Sequence, residues 1–190
     1  MIAVVALLDA NVLYPALLRD LLLQLAFAGL FQAHWSADID AEWKRSLLAK
    51  RPELAFQIEA TQAMMHRAIP DAAVTGYERH IPEISLPDAG DRHVLAAAIE
   101  AGADLIVTFN LKDFPAAALE TYGVEALHPD EFLYALAAAT PALFLACVRE
   151  CLGRLTRPPV AAGSYLDMIR RLGLTSTVAL LADNFYSASG

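Results

Sequence analysis

Cysteine is nearly absent from the 190 residues: there are two, Cys147 and Cys151, four apart in a helical pattern. A disulfide scaffold is excluded and no Cys/His zinc spacing exists, so both thiols read as small apolar core residues. Long apolar runs are missing too. Although 57% of the residues are hydrophobic, no uninterrupted stretch approaches the ~18 residues that a membrane span requires. Residues 1–8 carry neither the basic start nor the small-residue cleavage site of a signal peptide. The expectation is a cytoplasmic chain with no membrane segment. Positive charge is scarce, with 14 Lys and Arg against 22 Asp and Glu and a net charge of −8. That balance does not announce a nucleic-acid binder. It does not exclude one either, because bound metal would neutralise several carboxylates. The basic residues are also clustered, at Lys44, Arg45, Lys50 and Arg51 and again at Arg170 and Arg171.

What is present is an alternation of strand and helix patterns. Residues 3–8 are apolar throughout and end on Asp9, the pattern of a parallel strand buried on both faces. Pro15 suits the first turn of a helix, and Leu17, Leu18, Leu21, Leu22, Leu25 and Ala28 keep the 3.6-residue stripe up to Gly29. Phe31 to Trp35 reads as a second strand. Ser36 is a plausible N-cap for a helix over 37–50, which Pro52 breaks, and a helix over 53–67 follows. Segment 70–89 reads as connection with one extended piece near Val74. Asp88 caps a helix at 90–101, Asp104 to Phe109 is a third strand, and a short strand near Val124 to Ala126 precedes a helix from Pro129. Such alternation predicts βαβ units and a central parallel sheet between helical layers, an α/β/α sandwich. Beyond residue 139 only helical patterns remain. This predicts a domain over 1–139 and a helical C-terminal extension over 140–190, with Ala137, Leu143, Leu145, Val148 and Leu152 buried.

Acidic and amide residues fall where chemistry is done in such folds, just beyond strand carboxyl ends and at helix starts. Asp9 ends the first strand, with Asn11 two residues on. Glu42 flanks the apolar stripe of its helix. Asp91 shares a stripe with Val94, Leu95, Ala98 and Ile99, on the buried side of its helix. Thr108, Asn110 and Asp113 follow the third strand. Each alone has a structural reading: an Asx turn, a solvated face, a capping partner. Together they describe an oxygen-donor site for Mg²⁺ or Mn²⁺ of the kind that suits phosphodiester cleavage. Asp38 and Asp40 read as first-turn acids favoured by the helix dipole.

The order of these pieces resembles the PIN-domain ribonucleases, in particular the VapC toxins of bacterial toxin–antitoxin pairs. The matching stretches are Leu8-Asp9-Ala10-Asn11-Val12-Leu13, Trp35-Ser36 with Glu42-Trp43, Asp88 through Ala98, and Ala103 through Asn110, so the likeness covers about residues 1–130. It implies a PIN-like fold, divalent metal held by Asp9, Glu42 and Asp91, an RNA substrate, an antitoxin protein as partner, and homodimerisation. The family's fourth acidic position is Asn110 here, and Asp113 can supply the missing charge. On this reading Asp9 and Asp91 hold the metal, Glu42 orients or deprotonates a water, and Asn110 or Asp113 completes a second site. Thr108 holds a water or a neighbouring carboxylate, Asn11 lies beside the substrate, and Arg19, Lys44 and Arg45 are candidates for phosphate contact. The alternative is a catalytically inactive PIN-like module that only binds RNA or protein. A haloacid dehalogenase-type phosphatase needs Asp and Thr where Asn11 and Leu13 stand. A phosphoacceptor domain needs an Asp that Trp35-Ser36 does not offer.

Overall fold

The computed structural model describes residues 4–187, with side chains through Ala182. Five parallel strands form the sheet: β1 (Val5–Leu8), β2 (Gln32–Ser36), β3 (Ala73–Val74), β4 (Leu105–Val107) and β5 (Glu125–Leu127), in the spatial order β3-β2-β1-β4-β5. The expected three-layer α/β/α arrangement is present. Ala6, Leu7, Leu8, Ile106 and Val107 are fully buried, which is why β1 and β4 read as unbroken apolar runs rather than alternating ones. The sheet's direction of growth reverses between them: β1 leads to β2 on one side, and β4 leads to β5 on the other. A crevice opens at such a switch, beyond the carboxyl ends of the two strands.

The helices are α1 (Ala10–Leu13), α2 (Ala16–Phe27), α3 (Ala37–Lys50), α4 (Ala55–Ala68), α5 (Arg92–Glu100), α6 (Ala116–Leu119), α7 (Pro129–Ala139), α8 (Pro141–Arg154), α9 (Ala162–Arg171) and α10 (Thr175–Ser187). Ser36 caps α3, its Oγ accepting from the Ile39 amide at 3.3 Å. Gly29 follows α2 with φ 79°, the left-handed conformation that ends a helix cheaply only at glycine. Several expectations are corrected. Of the strand expected at 3–8, Ala3 lies outside the described residues and the rest pairs from Val5. The chain leaves the strand at Asp9 as expected, where the Asp9 carboxylate accepts from the Ala10 amide at 2.6 Å and starts the short turn α1. Pro15 therefore precedes α2 instead of lying inside it. Segment 70–89 is more than connection: Tyr77–Glu83 winds as a 3₁₀ helix against α5.

The C-terminal helices pack onto the sheet domain and onto each other. The α8 stripe is Phe144, Cys147, Val148 and Cys151, all buried, with Cys147 Sγ 4.0 Å from the Gln24 carbonyl and Cys151 Sγ 3.9 Å from that of Asp20 on α2. Leu143, expected inside, is 44% exposed, since it lies off this stripe. Buried Asp130 on α7 accepts from the Ser176 and Thr177 amides, each at 2.8 Å, and so caps α10. Phe31 and Phe132 meet edge to face with centroids 4.9 Å apart, tying α7 to the sheet. Among the described residues no helix is long and apolar enough to cross a membrane.

Candidate active site

Asp9 leaves the sheet where β1 ends, its amide donating to the Val107 carbonyl at 3.2 Å. Parallel pairing of Leu8 with Val107 brings Thr108 alongside, and a polar knot forms there. Thr108 Oγ1 and Asn11 Nδ2 each donate to Asp9 Oδ2 at 2.6 Å. Asn11 Nδ2 also lies 2.9 Å from Thr108 Oγ1, while Asn11 Oδ1 accepts from the Phe109 amide at 3.0 Å. The Asn110 amide donates to Thr108 Oγ1 at 3.0 Å. Asp9 and Thr108 are buried, so the bond between them is made away from bulk water, where an unpaired polar group would be costly, while the Asn11 and Asn110 bonds around it are part-buried. The knot fixes the first carboxylate in one orientation.

Other acids approach from three segments. Asp91 sits just before α5 and makes no capping bond of its own; Asp88 does that work one turn earlier, accepting from the Gly90 amide at 2.7 Å. The Asp91 carboxyl is pushed up to about 6, first by burial and then by the charges of Asp9, Asp88, Asp113 and Glu42. Asp9 is likewise raised, chiefly by burial and further by Glu42, although the Thr108 hydroxyl and Ala10 amide pull the other way. The neighbouring carboxylates that raise Asp9 and Asp91 therefore lie close enough for their charges to be felt there. Asp113 receives the Asn110 side-chain amide, which brings Asn110 and Asp113 together as one unit.

His93 is part of the cluster and was not singled out by the sequence. Its Nε2 lies 3.5 Å from Glu42 Oε2. Burial alone would lower its pKa, but Glu42, Asp38 and Asp9 outweigh that and raise it. Residues i and i+2 of a helix do not face one another. Asp91 in fact precedes α5, and both reach the crevice. Asp38 contributes through this field and through the bond it accepts from Tyr77 Oη at 2.8 Å.

Three cationic candidates are placed differently. Arg19 is buried: its Nη1 donates to the Leu13 carbonyl at 2.5 Å, and its guanidinium stands 4.8 Å from the Trp43 ring. Lys44 reaches from α3 to α4, bonding Glu59 Oε1 at 2.9 Å and Gln62 Oε1 at 2.7 Å. Arg45 is exposed on α3. Asp40 lies in the first turn of α3 as expected and is also a buried clamp, accepting from Trp43 Nε1 at 2.9 Å and Gln62 Nε2 at 2.9 Å, with His66 Nε2 at 2.7 Å. Its donors come from two helices, a feature no local pattern encodes.

Among the described residues, no three His, Cys, Asp or Glu side chains close tightly enough to enclose an ion unaided. A hard cation such as Mg²⁺ needs less, since it binds through one or two carboxylates and keeps several waters. Asp9 and Asp91, each raised by burial and by neighbouring carboxylates, with the oxygens of Glu42 and Asp113 beside them, suit such an ion.

Comparison with known proteins agrees with this architecture. A PIN domain model matches residues 5–112 and a VapC50 C-terminal domain model matches residues 129–183. A protein of Mycobacterium tuberculosis described as "Putative ribonuclease VapC50" is 45% identical over 83 residues, which cover 42% of this chain and 47% of that relative. The match thus spans about half the relative's length. No solved structure matches the chain. With the PIN model covering more than half of it and the second model accounting for the helices behind, the chain belongs to the PIN-domain family and carries a VapC50-type C-terminal domain.

Proposed function

We propose that the chain is a divalent-metal-dependent endoribonuclease of cytoplasmic location, acting as the toxin of a toxin–antitoxin pair. The observation that supports this reading is the carboxyl of Asp91, raised by burial and by the charges of Asp9, Asp113 and Glu42, which come from three other segments, beside Asp9 at the end of β1. The PIN membership and the ribonuclease named among its relatives support it. In this reading residues 1–139 are the nuclease unit and 140–190 the helical extension, whose helix α8 packs against α2.

Asp9 and Asp91 would hold Mg²⁺ or Mn²⁺, with Asn110 and Asp113 supplying further oxygens. The bound ion contributes Lewis acidity and neutralises the charge that grows on the scissile phosphate. Thr108 and Asn11 keep the Asp9 carboxylate aimed into the crevice. Glu42 takes the proton of the attacking water, and His93 holds the Glu42 carboxylate in place for that transfer. In-line attack then leaves a 5′-phosphate and a 3′-hydroxyl. An antitoxin would silence the site by covering the acidic crevice.

The test is cleavage of a generic single-stranded RNA in Mn²⁺ or Mg²⁺. Asp9→Asn and Asp91→Asn should each abolish cleavage while circular dichroism shows the fold retained. Full activity of either variant, or cleavage that persists in excess EDTA, removes this mechanism and leaves the binding-module reading.

A further inference from the structure

A second, shallower groove adjoins the acid cluster and shares Asn11 and Glu42 with it; Tyr14, Trp43, Ser46 and Lys50 complete its walls. Tyr14, Ser46 and Lys50 have no part in the acid chemistry described above. We propose that this groove is a base-stacking subsite for one unpaired RNA nucleotide next to the scissile phosphate, with the base against the Tyr14 ring and an adjacent phosphate on Lys50. The proposal rests on the nuclease reading and adds a substrate-recognition element to it.

The chemistry of the walls selects the ligand. Lys50, in the last turn of α3, makes no ion pair among the described residues; its Nζ stands 5.2 Å from the Tyr14 ring centroid. The Lys50 ammonium is open to one phosphate of a chain whose neighbouring phosphate would lie at the divalent cation held by the acid cluster, the charge that offsets the carboxylates' repulsion. A cation over a partly exposed ring is weakly held, so Lys50 can move to a phosphate and free the ring face. Every base offers a π-face to an aromatic platform. Among the described residues, the Ser46 hydroxyl has no hydrogen-bond partner, which leaves it for the sugar or base edge.

The groove is built, not incidental. Tyr14 is fixed at the end of α1, its amide donating to the Ala10 carbonyl at 2.9 Å. From beneath, the buried Arg19 guanidinium bonds the Leu13 carbonyl at 2.5 Å and approaches that of Tyr14 at 3.4 Å. It also lies against Trp43, whose indole Nε1 is anchored to Asp40 at 2.9 Å. The cation expected at the phosphate thus positions the platform instead. The open space is about 220 Å³, below the roughly 300–1,000 Å³ of pockets that enclose whole drug-sized ligands. It takes a single ring. Bases inside a duplex are already stacked and paired, so the occupant is single-stranded.

The test measures binding of a fluorescein-labelled RNA octamer to the full chain carrying Asp91→Asn, with Mn²⁺ cleavage by the parent chain run in parallel. Tyr14→Leu should weaken binding about fivefold or more, the loss of one stacked base, while Tyr14→Phe stays within about twofold of the parent because the ring is kept. Lys50→Met should weaken binding and reduce the magnitude of the salt slope by about 0.7, one phosphate contact on a single strand. An abasic site walked along the octamer should cost affinity at one position, and that cost should vanish in Tyr14→Leu. Equal binding by all variants, a Tyr14→Phe loss as large as that of Tyr14→Leu, duplex RNA bound as tightly as single strand, or no binding by the Asp91→Asn chain overturns the subsite. Failure of the parent to cleave while these differences persist would instead overturn the nuclease reading alone.

Discussion

Replacing Thr108 by valine separates the hydroxyl from the volume of a fully buried side chain. The hydroxyl donates to Asp9 Oδ2 at 2.6 Å and accepts from the Asn110 amide at 3.0 Å, with Asn11 Nδ2 at 2.9 Å. A hydrogen bond to a charged group contributes about 1.5–3 kcal/mol, and a donor left unpaired in a partly buried place adds on the order of 1 kcal/mol. Thr108→Val keeps the methyl group and the shape, so its cost is the polar part alone, about 3 kcal/mol. Thr108→Ser keeps the hydroxyl and loses one methyl, about 1 kcal/mol. For a chain of this size each kcal/mol moves Tm by roughly 2–4 °C. Valine should therefore lower Tm by about 6–12 °C and serine by no more than about 4 °C. Differential scanning calorimetry of the metal-free proteins at pH 7 reads both. A valine variant as stable as the serine variant, or more so, would show that the knot does not orient Asp9 and that packing alone holds this corner.

Asp91→Asn should stabilise the metal-free protein. The Asp91 carboxyl is held near 6, above its unfolded value, so ionising it costs folding energy above that pH and costs nothing below about pH 4; after a discount for partial exposure the gain at pH 7 is about 1–2 kcal/mol, and urea unfolding at pH 7 and pH 4 tests its disappearance in acid. Asp130 behaves in the opposite sense. Burial alone would raise it, but the Thr177 and Ser176 amides outweigh that and lower it, so its contribution is complete above the unfolded pKa and is lost as pH falls through the folded one. Asp130→Asn should cost about 1 kcal/mol at pH 7 and make the acid-unfolding limb shallower, as followed by far-UV circular dichroism. His93→Gln should lower kcat for RNA about tenfold with KM little changed, because the Glu42 carboxylate loses its neighbour while the RNA-binding walls stay intact; a change in KM alone would assign His93 to substrate binding.

The fold was legible where one residue property recurs along the chain. The apolar runs ending at Leu8 and Val107 named the two central strands, and the stripe through Leu18, Leu21, Leu22 and Leu25 named α2. Asp91 was expected on the buried stripe of its helix, but it is half-buried in the turn just before α5. What stayed hidden depends on partners distant in sequence. Arg19 looked like a free cation because nothing nearby announces that Leu13 and Trp43 will enclose it. Asp40 looked like a dipole acid because Gln62 and His66 come from the next helix. Leu143 was taken as core since an alanine- and leucine-rich helix offers more than one apolar stripe, and only docking on α2 selects the one through Cys147 and Cys151. His93 was missed because the turn ahead of α5 breaks the helical spacing on which the reading relied.

Titration of Mn²⁺ into the metal-free protein, followed by calorimetry or by electron paramagnetic resonance, bears most directly on the shared carboxylate crevice. The parent chain should take up Mn²⁺ saturably, and both Asp9→Asn and Asp91→Asn should weaken uptake at least about tenfold, the lower end of the loss seen when even an outer support of a metal site is removed. Identical isotherms for all three proteins would contradict the account at its root.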